Sequence, residues 1–356
     1  MPKYNHCDPI GKQLPMPIKQ LVLPRNIPFV GDFIEKQISI PTAGGAQIII
    51  ALRTDSDHLS KFFSLNWPVN NLSEKPTATI TALKGSAESY GLSEEFNGSR
   101  WFCPETKQVW MFGNEFYGNI KITVRGLCSE LAPNEEMFLH GCSMTIDGRG
   151  VVLSGVSGAG KTTLTVALRK ILGPRAQVVN DDWGPFSLDE GWLQFTGEPY
   201  LHMKYPSVHA LLPNLEINPS SHPSENFYGN IDDPHSRLLI TPQQVFGGDG
   251  LQSRAKLRLF VVVIRDHDMP TGISHLSLQD MPLLEQGKYS SFYDKTELFL
   301  NGSLFITDKT RQDRERNRHQ VLIKNFPCVL ANNVVAPEKT AEQILIELER
   351  TAPLKN

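Results

Sequence analysis

The sequence has no cysteine pairing. Cys7, Cys103, Cys128, Cys142 and Cys328 are scattered, odd in number and never spaced Cys-x-x-Cys. That pattern excludes a disulfide framework or a zinc knuckle as the basis of the fold. No window approaches the ~18 continuous apolar residues of a membrane-spanning helix. The opening Met1-Pro2-Lys3-Tyr4-Asn5-His6 leads into no apolar segment of the secretory kind. A basic excess is missing too: 35 Lys and Arg face 38 Asp and Glu, for a net charge of −3. Nucleic acid and acidic membrane surfaces are therefore not expected partners. Internal repeats and low-complexity tracts are absent, and the basic run at 309–314 is interleaved with acid, so it reads as a solvated face or loop. What remains is 40% hydrophobic and 21% charged, the composition of a globular chain, expected in a reducing, cytoplasmic compartment.

At 356 residues the chain suits one large domain or two ordinary ones. Residues 1–40 are rich in Pro, Lys and Gln, with short strands expected at Leu21-Val22-Leu23 and Gln37–Ile40. Gln47–Leu52, Thr77–Leu83 and Val109–Gly113 read as strands, and His58–Phe63 as a short helix ending before Trp67-Pro68. Gly118–Arg125 alternates apolar and polar residues, which predicts a half-buried strand. Residues 1–134 thus read as a β-rich region able to bind a substrate or partner.

The texture changes near Glu135. Met144–Ile146 and Val151–Ser154 read as strands around a turn at Asp147–Gly150. Thr162–Leu172 reads as a helix burying Leu164, Val166, Ala167, Leu168 and Ile171, and it stops at Gly173-Pro174. Gln177–Asn180 is the next strand. Leu257–Ile264 is the strongest apolar strand, Cys328–Leu330 a later one, and Glu338–Arg350 an amphipathic helix with Ile344, Leu345 and Leu348 on one face.

Between the strand and the helix stands Gly155-Val156-Ser157-Gly158-Ala159-Gly160-Lys161-Thr162, a complete G-x4-G-K-[ST] motif. Glycines let backbone N–H groups converge on phosphate oxygens, and the helix N-terminus adds to that anion site. Lys161 would reach the β- and γ-phosphates. The Thr162 hydroxyl, a hard oxygen donor, suits Mg²⁺. Gly155, Ser157, Gly158, Ala159, Gly160, Lys161, Thr162 and Thr163 are therefore the expected nucleotide contacts. Asp181 and Asp182 end the following strand, where such a protein places a metal-binding carboxylate; one would hold Mg²⁺ and the other bind a further metal or accept a proton from an attacking hydroxyl.

His140-Gly141 before the loop and Asp181-Asp182-Trp183-Gly184 after it complete a pattern. The stretch resembles the nucleotide-binding domain shared by HPr kinase/phosphorylase and phosphoenolpyruvate carboxykinase. The resemblance covers His140–Gly184, about 45 residues. It implies that Lys161 and Thr162 meet phosphates and metal, that Asp181 or Asp182 binds metal or acts as base, and that His140 sits beside the same metal.

The resulting expectation is an α/β chain with a P-loop domain of that type over 135–356. It would use ATP with Mg²⁺ or Mn²⁺ to phosphorylate a hydroxyl of a small metabolite or a protein serine, as a monomer or homo-oligomer. A carboxykinase-like lyase acting on a β-keto acid and a non-catalytic nucleotide-binding regulator are the alternatives. The chain is short for an ATP-dependent carboxykinase, which weighs against the lyase. Intact Lys161, Thr162, Asp181 and Asp182 weigh against the regulator.

Downstream, Glu225-Asn226 and Asp232-Asp233-Pro234-His235-Ser236-Arg237 precede an apolar run. Arg237 could neutralise charge on a transferring phosphoryl group. Glu198, Lys204 and Arg265 are further candidates, whereas Asp266-His267-Asp268, followed by Met269-Pro270, reads as a loop.

Overall fold

The computed structural model describes residues 18–20, 32–69, 74–113, 117–156, 158–198, 200–213, 215, 237–248, 250–284 and 309–351. The chain is mixed α/β, built on two large mixed sheets. Among the described residues the first has six strands: β1 (Ile18–Gln20), β2 (Ile34–Pro41), β3 (Gln47–Thr54), β4 (Ala78–Leu83), β5 (Arg100–Cys103) and β6 (Gln108–Phe112), in the order β1-β5-β6-β4-β3-β2. Helix α1 (Asp57–Asn66) starts where Ser56 accepts the Leu59 N–H, a side-chain cap on an otherwise unpaired donor.

The segment Gly118–Arg125, expected as a strand, is the first half of helix α2 (Tyr117–Leu131). Its polar-apolar alternation stops at Arg125. Carried on to Leu131, the apolar residues Ile120, Val124, Leu127, Cys128 and Leu131 fall three and four apart, the helical repeat. That stripe packs with Ile38, Ile50, Ile80 and Met111 of the first sheet. Full burial of each such aliphatic side chain stabilises by about 1.5–3 kcal/mol, so the tertiary contact outweighs local β preference. The same core takes in Phe138 and Trp183, stacked at 4.7 Å, and so joins the first sheet to the second half of the chain.

The second sheet has nine strands among the described residues. These are β7 (Glu136–Leu139), β8 (Gly141–Ile146), β9 (Arg149–Ser154), β10 (Ala176–Asn180), β11 (Gly184–Ser187), β12 (Trp192–Gln194), β15 (Arg254–Ile264), β16 (Gly272–His275) and β17 (Cys328–Asn332). The intervening β13 (Leu201–Lys204) and β14 (Arg237–Ile240) form a separate antiparallel pair. Strand β15 is parallel to β9 on one side and to β17 on the other. Its side chains alternate between two cores: Phe260, Val262 and Ile264 on one face, Leu259, Val261 and Val263 on the opposite one. This is why the run is apolar throughout.

Helices α3 (Lys161–Leu172) and α5 (Pro337–Arg350) cover the face bearing Val261, and α4 (Lys309–Asn325) covers the other through Leu322 and Ile323. Of the residues expected inside α3, Ile171 is instead 42% exposed. The basic run at 309–314, expected as a solvated face or loop, opens α4, where Arg314 pairs with Glu130 of α2 at 3.1 Å.

Strand β9, helix α3 and strand β10 form a strand-helix-strand unit, yet β10 does not neighbour β9. Strand β8 lies between them, antiparallel to both. The parallel strands β9, β10, β15 and β17 therefore end on one edge, where crossover loops gather. No described helix is long and apolar enough to cross a membrane.

Candidate functional site

The loop between β9 and α3 depends on glycine. Gly155, Gly158 and Gly160 have φ of 149°, 89° and 100°, conformations that L side chains adopt only under strain. A Cβ on Gly155 would lie 2.2 Å from the Val263 carbonyl oxygen, so the loop also needs a close backbone approach there. Ser157 lies outside the described residues. Lys161 is buried, and its Nζ donates to the Gly155 carbonyl at 2.7 Å and the Val156 carbonyl at 3.2 Å, closing the loop on itself. Thr162 and Thr163 are half-buried at the helix start.

Across from this helix, β10 delivers the two aspartates. Thr162 Oγ1 donates to Asp181 Oδ1 at 3.3 Å, and Asp181 Oδ2 accepts the His202 backbone N–H at 2.7 Å. Asp182 has φ of 69°, a left-handed conformation, so the chain turns between the two carboxylates. Aspartate is one of the few side chains that tolerate this region, as Asp147 does in the turn between β8 and β9. The turn aims Asp182 at a different set of partners. Its Oδ2 accepts from Arg125 Nη2 at 2.9 Å and lies 3.7 Å from Lys121 Nζ, while His140 Nε2 is 3.3 Å from Oδ1.

Glu198 and His202 complete a buried network. Lys121 Nζ is 2.7 Å from Glu198 Oε1 and 2.6 Å from His202 Nε2, and the Glu198–His202 distance is 2.9 Å. Arg125 Nη2 lies 3.6 Å from Glu198 Oε2, and the guanidinium stands over the Trp183 ring at 5.8 Å.

These neighbours drive the two aspartates apart. Burial, then the charge of Asp182, pushes Asp181 up to about 6. Burial also opposes ionisation of Asp182, but Arg125, His140 and Lys121 overcome it and hold that carboxyl well below the usual range. Glu198 is likewise brought down to about 2 by Lys121 and Arg125 against the pull of burial. Burial and then Lys121 lower His202 to about 4, and burial and then Lys161 lower His140. Both imidazoles are thus biased toward the neutral form.

The donor set fits a divalent cation of the Mg²⁺ kind. Thr162 and Asp181 place hard oxygens side by side, and such ions take one or two carboxylates and leave remaining positions to water and phosphate. Among the described residues no three His, Cys, Asp or Glu side chains group as a ready metal cage. The expected set of Thr162, Asp181 and Asp182 divides accordingly: Asp181 faces Thr162, and Asp182 faces Lys121, Arg125 and His140.

Lys161, Thr162, His140, Asp181, Asp182 and Glu198 are thus brought to one place. Lys121, Arg125 and His202 were not anticipated. The four-residue spacing of Lys121 and Arg125 is a signal, but only once α2 is read as a helix. His202 carries no sequence signal. Arg237 opens β14 opposite Lys204, but both side chains, with Glu225, Asn226 and 232–236, lie outside the described residues. Arg265 is exposed, and Asp266 accepts the Asp268 N–H at 3.0 Å within a turn, as a loop residue does.

A cleft of about 690 Å³ bounded by Trp192, Lys256 and Phe326 lies at the other end of the sheet, since Lys256 pairs with Arg149 at the start of β9. It takes no part in this constellation. No family model matches the chain, and no curated protein matches it either.

Proposed function

We propose that the chain is an ATP- and Mg²⁺-dependent phosphotransferase of the HPr kinase/carboxykinase P-loop type, acting on a hydroxyl. The observation that carries this reading is the convergence of a glycine loop, Lys161 and Thr162 on two aspartates held in different charge environments. The backbone amides of 155–160 and Lys161 would hold the triphosphate. Thr162 and Asp181 would hold Mg²⁺, which when bound neutralises phosphate charge.

Asp182, kept ionised by Arg125, Lys121 and His140, would accept a hydrogen bond from the acceptor hydroxyl and aim it in line. A carboxylate with so depressed a pKa is a weak base. A loose phosphoryl-transfer transition state asks mainly for orientation, and the hydroxyl proton would pass to the Asp182 carboxylate late, as the bond to the γ-phosphorus forms and the bond to ADP breaks. Arg125 and Lys121, beside Asp182, would stabilise charge on the transferring group. Because both come from α2, the N-terminal region would on this reading contribute to the chemistry and not only to the choice of acceptor.

The test is transfer of ³²P from γ-labelled ATP with Mg²⁺ into a panel of metabolites and into lysate protein. Wild type should label an acceptor. Lys161→Ala should abolish turnover with an unchanged circular dichroism spectrum, and Asp182→Asn should reduce turnover more than ATP binding. Retained turnover in both variants defeats the site assignment. If wild type labels nothing, oxaloacetate-dependent nucleotide turnover becomes the next assay, for the lyase.

A further inference from the structure

Beside the glycine loop, Asn333 follows β17 and is 8% exposed. Its backbone N–H donates to the Ile264 carbonyl at 2.8 Å, and its Nδ2 donates to the Ala159 carbonyl at 3.3 Å. The amide thus ties together the ends of β15, β17 and the loop. A Cβ on Gly160 would lie 2.5 Å from that Nδ2, so the residue is pressed against the loop itself. Oδ1 is buried with no hydrogen-bond partner among the described residues. A buried acceptor left unmatched is costly, and native structures retain few of them without a reason. The Ala159 carbonyl fixes the orientation of the amide, because its NH₂ end must face that acceptor. The unpaired atom is therefore the oxygen. Half-buried Val334 and Val335 follow it directly in the chain, and half-buried Val156 of the loop packs against the core that holds Val261 and Val263.

We infer that Asn333 forms a nucleobase subsite, with its Oδ1 accepting a hydrogen bond from the exocyclic 6-amino group of adenine. This rests on the triphosphate site proposed above and names the base that site takes. Guanine carries an oxygen at the same position. Two acceptors would then face each other, leaving a buried polar group unpaired. The subsite therefore selects adenine over guanine.

Isothermal titration of the full chain with Mg²⁺ and four ligands tests this: ATP, GTP, purine riboside triphosphate (which lacks the 6-amino group) and inorganic tripolyphosphate. Wild type should bind ATP about tenfold more tightly than GTP or purine riboside triphosphate, the value of one net hydrogen bond. Asn333→Ala should lose about that factor for ATP, keep tripolyphosphate affinity within about twofold, and no longer separate ATP from purine riboside triphosphate.

Equal wild-type affinity for ATP and purine riboside triphosphate overturns the subsite. So does an Asn333→Ala variant that loses tripolyphosphate as strongly as ATP, since Asn333 would then only brace the loop. The wild-type comparison needs no variant and stands even if Asn333→Ala fails to fold. Failure of wild type to bind tripolyphosphate or ATP at all overturns the triphosphate site beneath the inference, an outcome distinct from loss of base preference alone.

Discussion

Replacing Lys121 by Met tests whether the buried charge network is a matched set. Lys121 Nζ and Glu198 Oε1 are 2.7 Å apart, with side chains 9% and 3% exposed. At an effective dielectric near 20, such a pair attracts by about 6 kcal/mol. Removing both ions from water costs several kcal/mol each, so the intact pair is worth little net. Deleting one partner is different, because a buried carboxylate is left behind. That loss typically costs about 3–5 kcal/mol. Arg125 at 3.6 Å and His202 at 2.9 Å remain near Glu198, which places Lys121→Met near about 3 kcal/mol, the lower end of that range. Lys121→Met with Glu198→Gln removes both charges and should recover most of this, to within about 1 kcal/mol of wild type.

Urea unfolding followed by circular dichroism reads both values, provided the slopes agree. The pH dependence has a defined sign. In wild type the Glu198 pKa is depressed to about 2, so its stabilisation is present above the ordinary carboxylate pKa and is lost as pH falls toward 2. Without Lys121, burial raises that pKa, the carboxyl protonates more readily, and the penalty should be larger at pH 8 than at pH 5. A single variant costing less than about 1 kcal/mol, with Glu198→Gln adding to the loss instead of reversing it, refutes the matched-set argument.

Three further perturbations address other parts of the molecule. Gly155→Ala would drive a Cβ to 2.2 Å from the Val263 oxygen at a φ of 149°; we expect a loss of at least about 2 kcal/mol in urea and weakened ATP binding in calorimetry. Glu136→Ala would remove the carboxylate that accepts from Thr42 Oγ1, Ala43 N and Gly44 N, where β7 meets the β2–β3 turn; a cost of about 2–4 kcal/mol should appear as a lowered thermal midpoint. His319, buried on α4 with Nδ1 2.7 Å from the Glu315 carbonyl, has its pKa lowered chiefly by burial. Its stabilisation is present above the unfolded histidine pKa and is lost as pH falls below it, so His319→Gln should flatten the decline in urea midpoint between pH 7 and 5.

How much of this was legible in the sequence depended on the range over which each signal acts. The glycine loop was legible because every part of it, from Gly155 to Thr162, is local: backbone freedom, a helix start and a cation in eight consecutive residues. The apolar run of β15 was equally plain, since a strand covered on both faces has no polar alternation to lose. Helix α2 was not. Ile120, Ile122 and Val124 alternate with Lys121, Thr123 and Arg125, and within that window the strand pattern is complete. Only the packing of Val124, Leu127 and Cys128 on the first sheet settles the helix. That one misreading concealed two residues of the candidate site. On a strand, Lys121 and Arg125 would sit two pleats apart; on a helix they are neighbours one turn apart, both able to reach Asp182 and Glu198. The charge that keeps Asp182 ionised thus comes from an element whose identity is decided by long-range burial, so local sequence identified the aspartates but not what holds them in different states.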